Sequence, residues 1–301
     1  MPHRSLPQAQ TPESVAQRLL RTSVAHSFDP ATDIDWEAPL EEGAWFCVPE
    51  RLSLYGTPLW EKMDQRQRIE LSRHEFASLA GVGSWLELCL IQMLARYLTS
   101  RNLKDPRTHY ALKEMGDETR HVTMFGMLHR KLDCPEYGPP AYLRRVFTAG
   151  SLAFQDLTTF ALTLVTEELL DRFQREIARD ERVQPLIRRI CRIHVIEEAR
   201  HVSFARTELR HAMAHASPPR RAFHRHLTAL AASLDVPCLL DPALYRAVGL
   251  DPDEARRQAR SNPHFKETML WSGEKLIAFL AETGMIGRAQ YPWWRRAGLM
   301  R

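Results

Sequence analysis

Glu118-x-x-His121 and Glu198-x-x-His201 are the residues of this chain whose types and spacing are best suited to chemistry. Positions three and four apart share one face of an α-helix, so each motif projects a carboxylate and an imidazole together. Their contexts match as well. Asp117-Glu118-Thr119-Arg120-His121 and Glu197-Glu198-Ala199-Arg200-His201 both read acid-Glu-x-Arg-His. The second copy adds His194 one turn before Glu198, while the equivalent position of the first copy is Glu114. Such stripes are metal-ligand chemistry if they face inward and ordinary polarity if they face water. A lone Glu-x-x-His does not separate the two.

The rest of a site is supplied by spacing. Glu87 precedes Glu118 by the same interval at which Glu167 precedes Glu198; the midpoints fall at 101–105 and 180–183, where turns are expected. In an antiparallel hairpin, residues equidistant from the turn lie at one level, here about 15 residues or roughly 23 Å along each helix. Glu87 shares a stripe with Leu90, Ile91 and Leu94, where an unpaired buried carboxylate would be costly. Glu168 rivals Glu167, and only the equality of the two intervals favours the latter. One Glu from each of two helices plus Glu-x-x-His from each of two others is the pattern of ferritin-like dinuclear carboxylate sites. The expected ligands are Glu87, Glu118, His121, Glu167, Glu198 and His201, a set suited to two divalent ions, iron or manganese; His194 on the same stripe is either a seventh ligand or a satisfied core histidine. Asp117 and Glu197 are expected to accept from the ring N–H groups of the ligand histidines, across the repeat; as plain surface acids they would do nothing. Arg120 and Arg200 are expected to pair with nearby acids.

These motifs require long helices. Thr11-Pro12 starts one at 12–26, after residues 1–11 that read as disordered, and Asp64 caps another running to about Ala80. Gly81-Val82-Gly83 is expected to break the chain before a helix at about 84–100. Asp105-Pro106 opens the helix that carries the first motif, to about Leu132. The prolines of 135–140 separate this pair from a helical region at about 141–179, interrupted near Gly150, and from the helix at about 184–215. Helices at about 219–233, 242–248 and 264–283 follow, with a further segment opening at Asp251-Pro252. Residues 29–60, with prolines and glycines among aromatics, read as an irregular cover over a core. No alternating strand pattern persists, so the expected fold is all-α: a four-helix bundle with additional N- and C-terminal helices.

The chain has 301 residues, a net charge of +4, 44% hydrophobic and 26% charged residues. That length buries a sizeable core, and so small a charge argues against nucleic acid as a partner. Five scattered cysteines without a CxxC pair fit a reducing cytoplasm. No secretory leader and no membrane-spanning apolar run is expected.

With these residues the sequence resembles the non-haem diiron oxygenases and oxidases. His194 makes it similar, within them, to the p-aminobenzoate N-oxygenase (AurF-like) family, which carries His-x-x-x-Glu-x-x-His on the last helix of the site. The resemblance covers roughly residues 64–215. It implies two iron ions that, once reduced, react with O2 and oxygenate an amine to a hydroxylamine, nitroso or nitro product. It also implies a homodimer and a separate electron donor, a reductase or ferredoxin, since no flavin, nicotinamide or iron–sulfur motif is visible. Residues 1–63 are then an N-terminal extension packed on an oxygenase domain at 64–301. Alternatives of the same architecture are a diiron hydroxylase or oxidase acting on C–H bonds, and a ribonucleotide reductase small subunit. The latter is weakened by Phe125 at its usual tyrosine position. A non-enzymatic helical scaffold would bind no metal.

Overall fold

The computed structural model describes residues 11–151 and 154–301. The reading of residues 1–11 as disordered therefore falls, apart from Thr11, outside the described residues. Thr11 accepts from Ser14 N and starts α1 (Pro12–Ala25). Thr57 caps the short α2 (Pro58–Lys62), which lies in a stretch with no helix expected. Asp64 accepts from Gln67 N to open α3 (Gln65–Leu98), and Asp105 accepts from Arg107 N, with Pro106 in the first turn, to open α4 (Pro106–Leu132). These caps each satisfy one of the backbone N–H groups that a helix start leaves without a partner.

After α5 (Ala141–Gly150) come α6 (Asp156–Ile177) and α7 (Pro185–His215). The remaining helices are α8 (Pro218–Asp235), α9 (Ala243–Ala247), α10 (Pro252–Ser261), α11 (Pro263–Glu282) and α12 (Tyr291–Arg296). The aromatic, basic sequence of α12 carries no helical signal. It docks through Trp294, which is fully buried.

Helices α3 and α4 form one antiparallel hairpin and α6 and α7 the other; α3 packs on α6, and α4 on α7. This is the all-α, ferritin-like four-helix bundle. Helix α1 covers the α4–α7 side, while α8 and α11 pack on α6. A short parallel bridge, Trp45 N to Arg182 O and Gln184 N to Trp45 O at 2.9 and 2.8 Å, ties the N-terminal segment to the α6–α7 turn.

The expected break at Gly81-Val82-Gly83 does not occur: α3 runs through it without interruption. A Cβ on Gly81 would collide with the Tyr137 carbonyl oxygen, whereas one on Gly83 would meet nothing. Gly81 is there because the loop after α4 crosses the helix at that point. A helical glycine costs about 1 kcal/mol relative to alanine, too little to break a long buried helix held on several sides.

Two helical stretches, Gln65–Leu98 and Pro218–Ala247, are in fact long and apolar enough to cross a membrane by length and composition, contrary to the sequence expectation. About half of each apolar window, 56% and 50%, is buried inside the protein. In α3 that apolar surface faces the bundle interior.

The apolar core falls into two clusters, and on α4 and α7 the boundary is sharp. Tyr110 and Ala111 belong to one cluster, Met124, Phe125 and Leu128 to the other. Likewise Ile187, Ile190 and Ile193 lie on one side and Phe204, Ala205 and Leu209 on the other. Between them, at residues 114–121 and 194–201, the interior is polar.

Candidate metal centre

The polar layer contains Glu87, Glu118, His121, Glu167, His194, Glu198 and His201, one from α3, two from α4, one from α6 and three from α7. None is more than 5% exposed. Glu167 turns into the layer, whereas Glu168 turns outward to pair with Arg206 of α7. Identical neighbours in sequence thus have different surroundings.

The two motif histidines are held alike. His121 Nδ1 lies 2.9 Å from Glu118 Oε2 and 3.1 Å from Glu198 Oε1. His201 Nδ1 lies 2.9 Å from Glu198 Oε2 and 2.8 Å from Glu118 Oε1. Each Nδ1 thus faces both central carboxylates, one from its own helix and one from the other copy. The opposite ring atoms face acids across the repeat: His121 Nε2 is 3.0 Å from Glu197 Oε2, and His201 Nε2 is 3.4 Å from Asp117 Oδ2. His194 points Nε2 at Glu87 Oε1, 3.4 Å away, and Glu198 Oε1, 3.7 Å away, with its ring 4.5 Å from that of His121.

The flanking acids are themselves anchored. Glu197 accepts from the Phe28 backbone N–H at 3.3 Å and lies 3.5 Å from Arg200. Asp117 is paired with Lys113 and Arg120. The Phe28 contact is not visible in the sequence. It arises because the chain after α1 folds back over α7, and nothing local to residue 28 signals it.

Electrostatically the layer is unbalanced. Burial and repulsion from Glu118 and Glu198 push the Glu87 carboxyl well above the ordinary range, and burial with repulsion from Glu198 and Glu87 does the same to Glu167. Burial would also raise Glu118 and Glu198, but His201 and the other histidines overcome it and hold both low, Glu118 at about 2. Burial lowers His194 to about 4, whereas for His121 and His201 the surrounding carboxylates outweigh burial and raise both rings.

This arrangement fits metal ions. A ring nitrogen carries at most one hydrogen in the ring plane, so one Nδ1 cannot satisfy two carboxylates. Among the described residues Glu118 Oε1 and Glu198 Oε1 are accordingly left without a hydrogen bond although a ring nitrogen is close, and Glu87 Oε2 has none either. Buried acceptors without donors are costly, and a cation among them would satisfy several at once. Ligand atoms of Glu87, His121 and His194, of Glu118, His121 and Glu198, and of Glu167, His194 and Glu198 each lie within 4.8 Å of one another. A further such group brings in Glu114 with Glu118 and His201. Glu114 is not among the ligands expected from sequence, although it lies one turn before Glu118 on the same stripe, and that spacing is the signal. Burial raises its carboxyl to about 8.

A small apolar cavity of about 40 Å³ adjoins Glu87, Glu167 and His194 and is walled by Leu79, Gly83, Phe125, Leu170 and Ile190 among others. Leu79, Leu170, Phe173 and Ile177 also line a much larger cavity of about 1060 Å³, whose walls carry Arg256, Arg260 and Lys266.

A family model described as p-aminobenzoate N-oxygenase AurF matches residues 9–284. Uncharacterized proteins of Mycobacterium bovis and Mycobacterium tuberculosis are 32% identical over 195 residues, which is 62% of this chain and 57% of each relative. The chain thus spans little more than half the length of these curated relatives.

Proposed function

Since the chain belongs to the p-aminobenzoate N-oxygenase AurF family, a family of diiron enzymes, we propose that it is a non-haem diiron oxygenase that N-oxygenates an amine at the expense of O2. The observation that carries the reading is the two-sided placement of His121 and His201. Each presents Nδ1 to the same two buried carboxylates and Nε2 to an acid of the opposite helix.

In this reading Glu118 and Glu198, each facing both histidines, would hold the two ions together with Glu87, Glu167, His121, His201 and His194. When bound, the ions supply the electron storage and O2 activation that no side chain offers. The chain's own part is positional. Glu197 and Asp117 hold a proton on the Nε2 atoms, which leaves each Nδ1 lone pair free for a metal and fixes the ring plane. Leu79, Phe125, Leu170 and Ile190 keep bulk water from the face beside Glu87, Glu167 and His194, where a substrate nitrogen has room. The larger cavity behind Leu79 and Leu170 is the route by which an amine arrives, and its arginines and lysine suit an amine bearing an acidic group. Electrons come from a separate reductase or ferredoxin. The catalytic unit is residues 64–301, with 1–63 as its cover, and the protein works as a cytoplasmic homodimer.

The test is direct. Apoprotein loaded anaerobically with iron(II) is expected to take up about two equivalents per chain, and one exposure to O2 with arylamines or amino-acid-derived amines should yield N-oxygenated products by mass. No iron uptake would sink the diiron reading. Carbon-hydroxylated products alone would move the chemistry to C–H bonds. A radical-storing role is disfavoured because Phe125, not a tyrosine, packs against His194 at a 5.1 Å ring distance.

A further inference from the structure

The two histidine-bearing helices are copies that differ one turn before the shared Glu: α7 carries His194 there, and α4 carries Glu114. His194 lies against His121, the histidine of the other copy, together with Glu87. Glu114 occupies the mirrored place against His201, together with Glu118. Glu114 is completely buried, and neither of its oxygens has a hydrogen-bond partner among the described residues. Lys113 and Arg120, the nearest cations on its own helix, pair with Asp117 instead.

A carboxylate so placed for packing alone would be expected to meet a donor, as Glu208 of the same bundle does with Arg107 and Tyr97. We infer that Glu114 is an eighth protein ligand, a carboxylate donated to the metal beside His201, so that the centre is asymmetric, with an extra imidazole at one ion and an extra carboxylate at the other. The inference rests on the dinuclear reading above and adds to it which ion differs and how. An anionic oxygen donor favours a hard, more highly charged ion more than a neutral imidazole does. The ion beside His201 should therefore be the more easily oxidised of the two.

The test uses binding and spectroscopy, not turnover. Apoprotein of the wild type, Glu114→Gln and Glu114→Asp is titrated with manganese(II), and each protein is loaded with 57Fe(II) for Mössbauer spectra. Glu114→Gln keeps the shape and places no charge in the interior, so the fold should persist, as circular dichroism would record. The wild type should bind two equivalents and show two distinct iron environments. Glu114→Gln should keep one equivalent at wild-type affinity, bind the other at least tenfold more weakly, and change one quadrupole doublet only. Glu114→Asp, with the charge retained one methylene back, should weaken the same equivalent less. Two equivalents in Glu114→Gln at wild-type affinity with unchanged spectra would overturn the inference and leave the diiron reading intact. Equal weakening of both equivalents would also overturn it, since the residue would then act on the layer as a whole. A wild type that binds neither manganese nor iron would overturn both.

Discussion

Two of the buried glutamates of helix α7, Glu198 and Glu208, have opposite surroundings. Glu208 accepts from Arg107 Nε at 2.8 Å and from Tyr97 OH at 3.0 Å, so every charge in that trio is answered from within the chain. Glu198 sits among Glu87, Glu118 and Glu167 with three histidines nearby, and one of its oxygens has no donor among the described residues. Burial is the same for both, at 2% exposure. What differs is whether the acceptors are met. The first region is a finished ion pair that locks α3, α4 and α7; the second, in the proposed reading, would be finished by metal ions.

The largest expected effect breaks the second region. Glu118→Ala removes one of the two carboxylates that face both motif histidines, and metal uptake should fall from about two equivalents to none at micromolar iron(II). The metal-free protein should lose some stability too, because His121 and His201 lose a buried carboxylate that they hold ionised, so uptake is scored on the folded fraction. Thermal melts with and without metal measure both quantities, and a folded Glu118→Ala that still took up two equivalents would contradict the ligand assignment.

Glu208→Ala makes the converse change. It leaves the buried Arg107 guanidinium with only the half-exposed Glu13, 3.6 Å away, which should cost about 3 kcal/mol of stability, the lower end for breaking a buried pair, read by chemical denaturation. Metal stoichiometry in the folded fraction should be unchanged. If Glu208→Ala abolished metal binding without unfolding, the two regions would not be separable in this way.

A third buried acid lies between these extremes. Glu75 accepts from the backbone N–H and hydroxyl of Ser53, but no cation among the described residues answers it, and burial raises its carboxyl to about 7 despite those bonds. The folded chain therefore holds a proton that the unfolded chain releases at the ordinary carboxyl pKa of about 4.3. Its contribution to stability is full below that value and is lost as pH rises through 7, a change of about 3–4 kcal/mol. Glu75→Gln should flatten this part of the stability profile between pH 4.5 and 7.5. An unchanged slope in the variant would mean that Glu75 is charged in the fold.

How much of this is legible in the sequence follows from how local each cause is. The helix pairs, their turns and the level of Glu87, Glu118, Glu167 and Glu198 follow from spacing, because helical rise is uniform and caps are local. Asp64, Asp105 and Thr11 are such caps. Gly81 misleads because a glycine looks the same whether it breaks a helix or admits a crossing carbonyl, and the carbonyl belongs to Tyr137, beyond the whole of α4. The short α2 and α12 escape a reading of periodicity because their order comes from docking Trp60 and Trp294. In the sequence Glu114 is visible only as the counterpart of His194. That both its oxygens lack donors depends on every neighbour in three dimensions.

The smallest expected effects lie in the acids behind the histidines, and they test whether the two copies are equal. Glu197 meets His121 Nε2 at 3.0 Å, while Asp117 is 3.4 Å from His201 Nε2 and shares its charge with Lys113 and Arg120. A carboxylate already neutralised by two cations raises the basicity of its histidine less. Loss of such an acid commonly costs about 10- to 100-fold in metal affinity. Glu197→Gln should fall toward the upper end of that range and Asp117→Asn toward the lower, with the fold intact in both. Because the rings must shed protons to bind metal and their carboxylate neighbours raise both pKa values, affinity should weaken as pH falls in the wild type and in each variant. Manganese titrations at pH 6 and 8 measure this, and equal losses in the two variants would mean that the difference in hydrogen-bond length and charge sharing does not reach the metals.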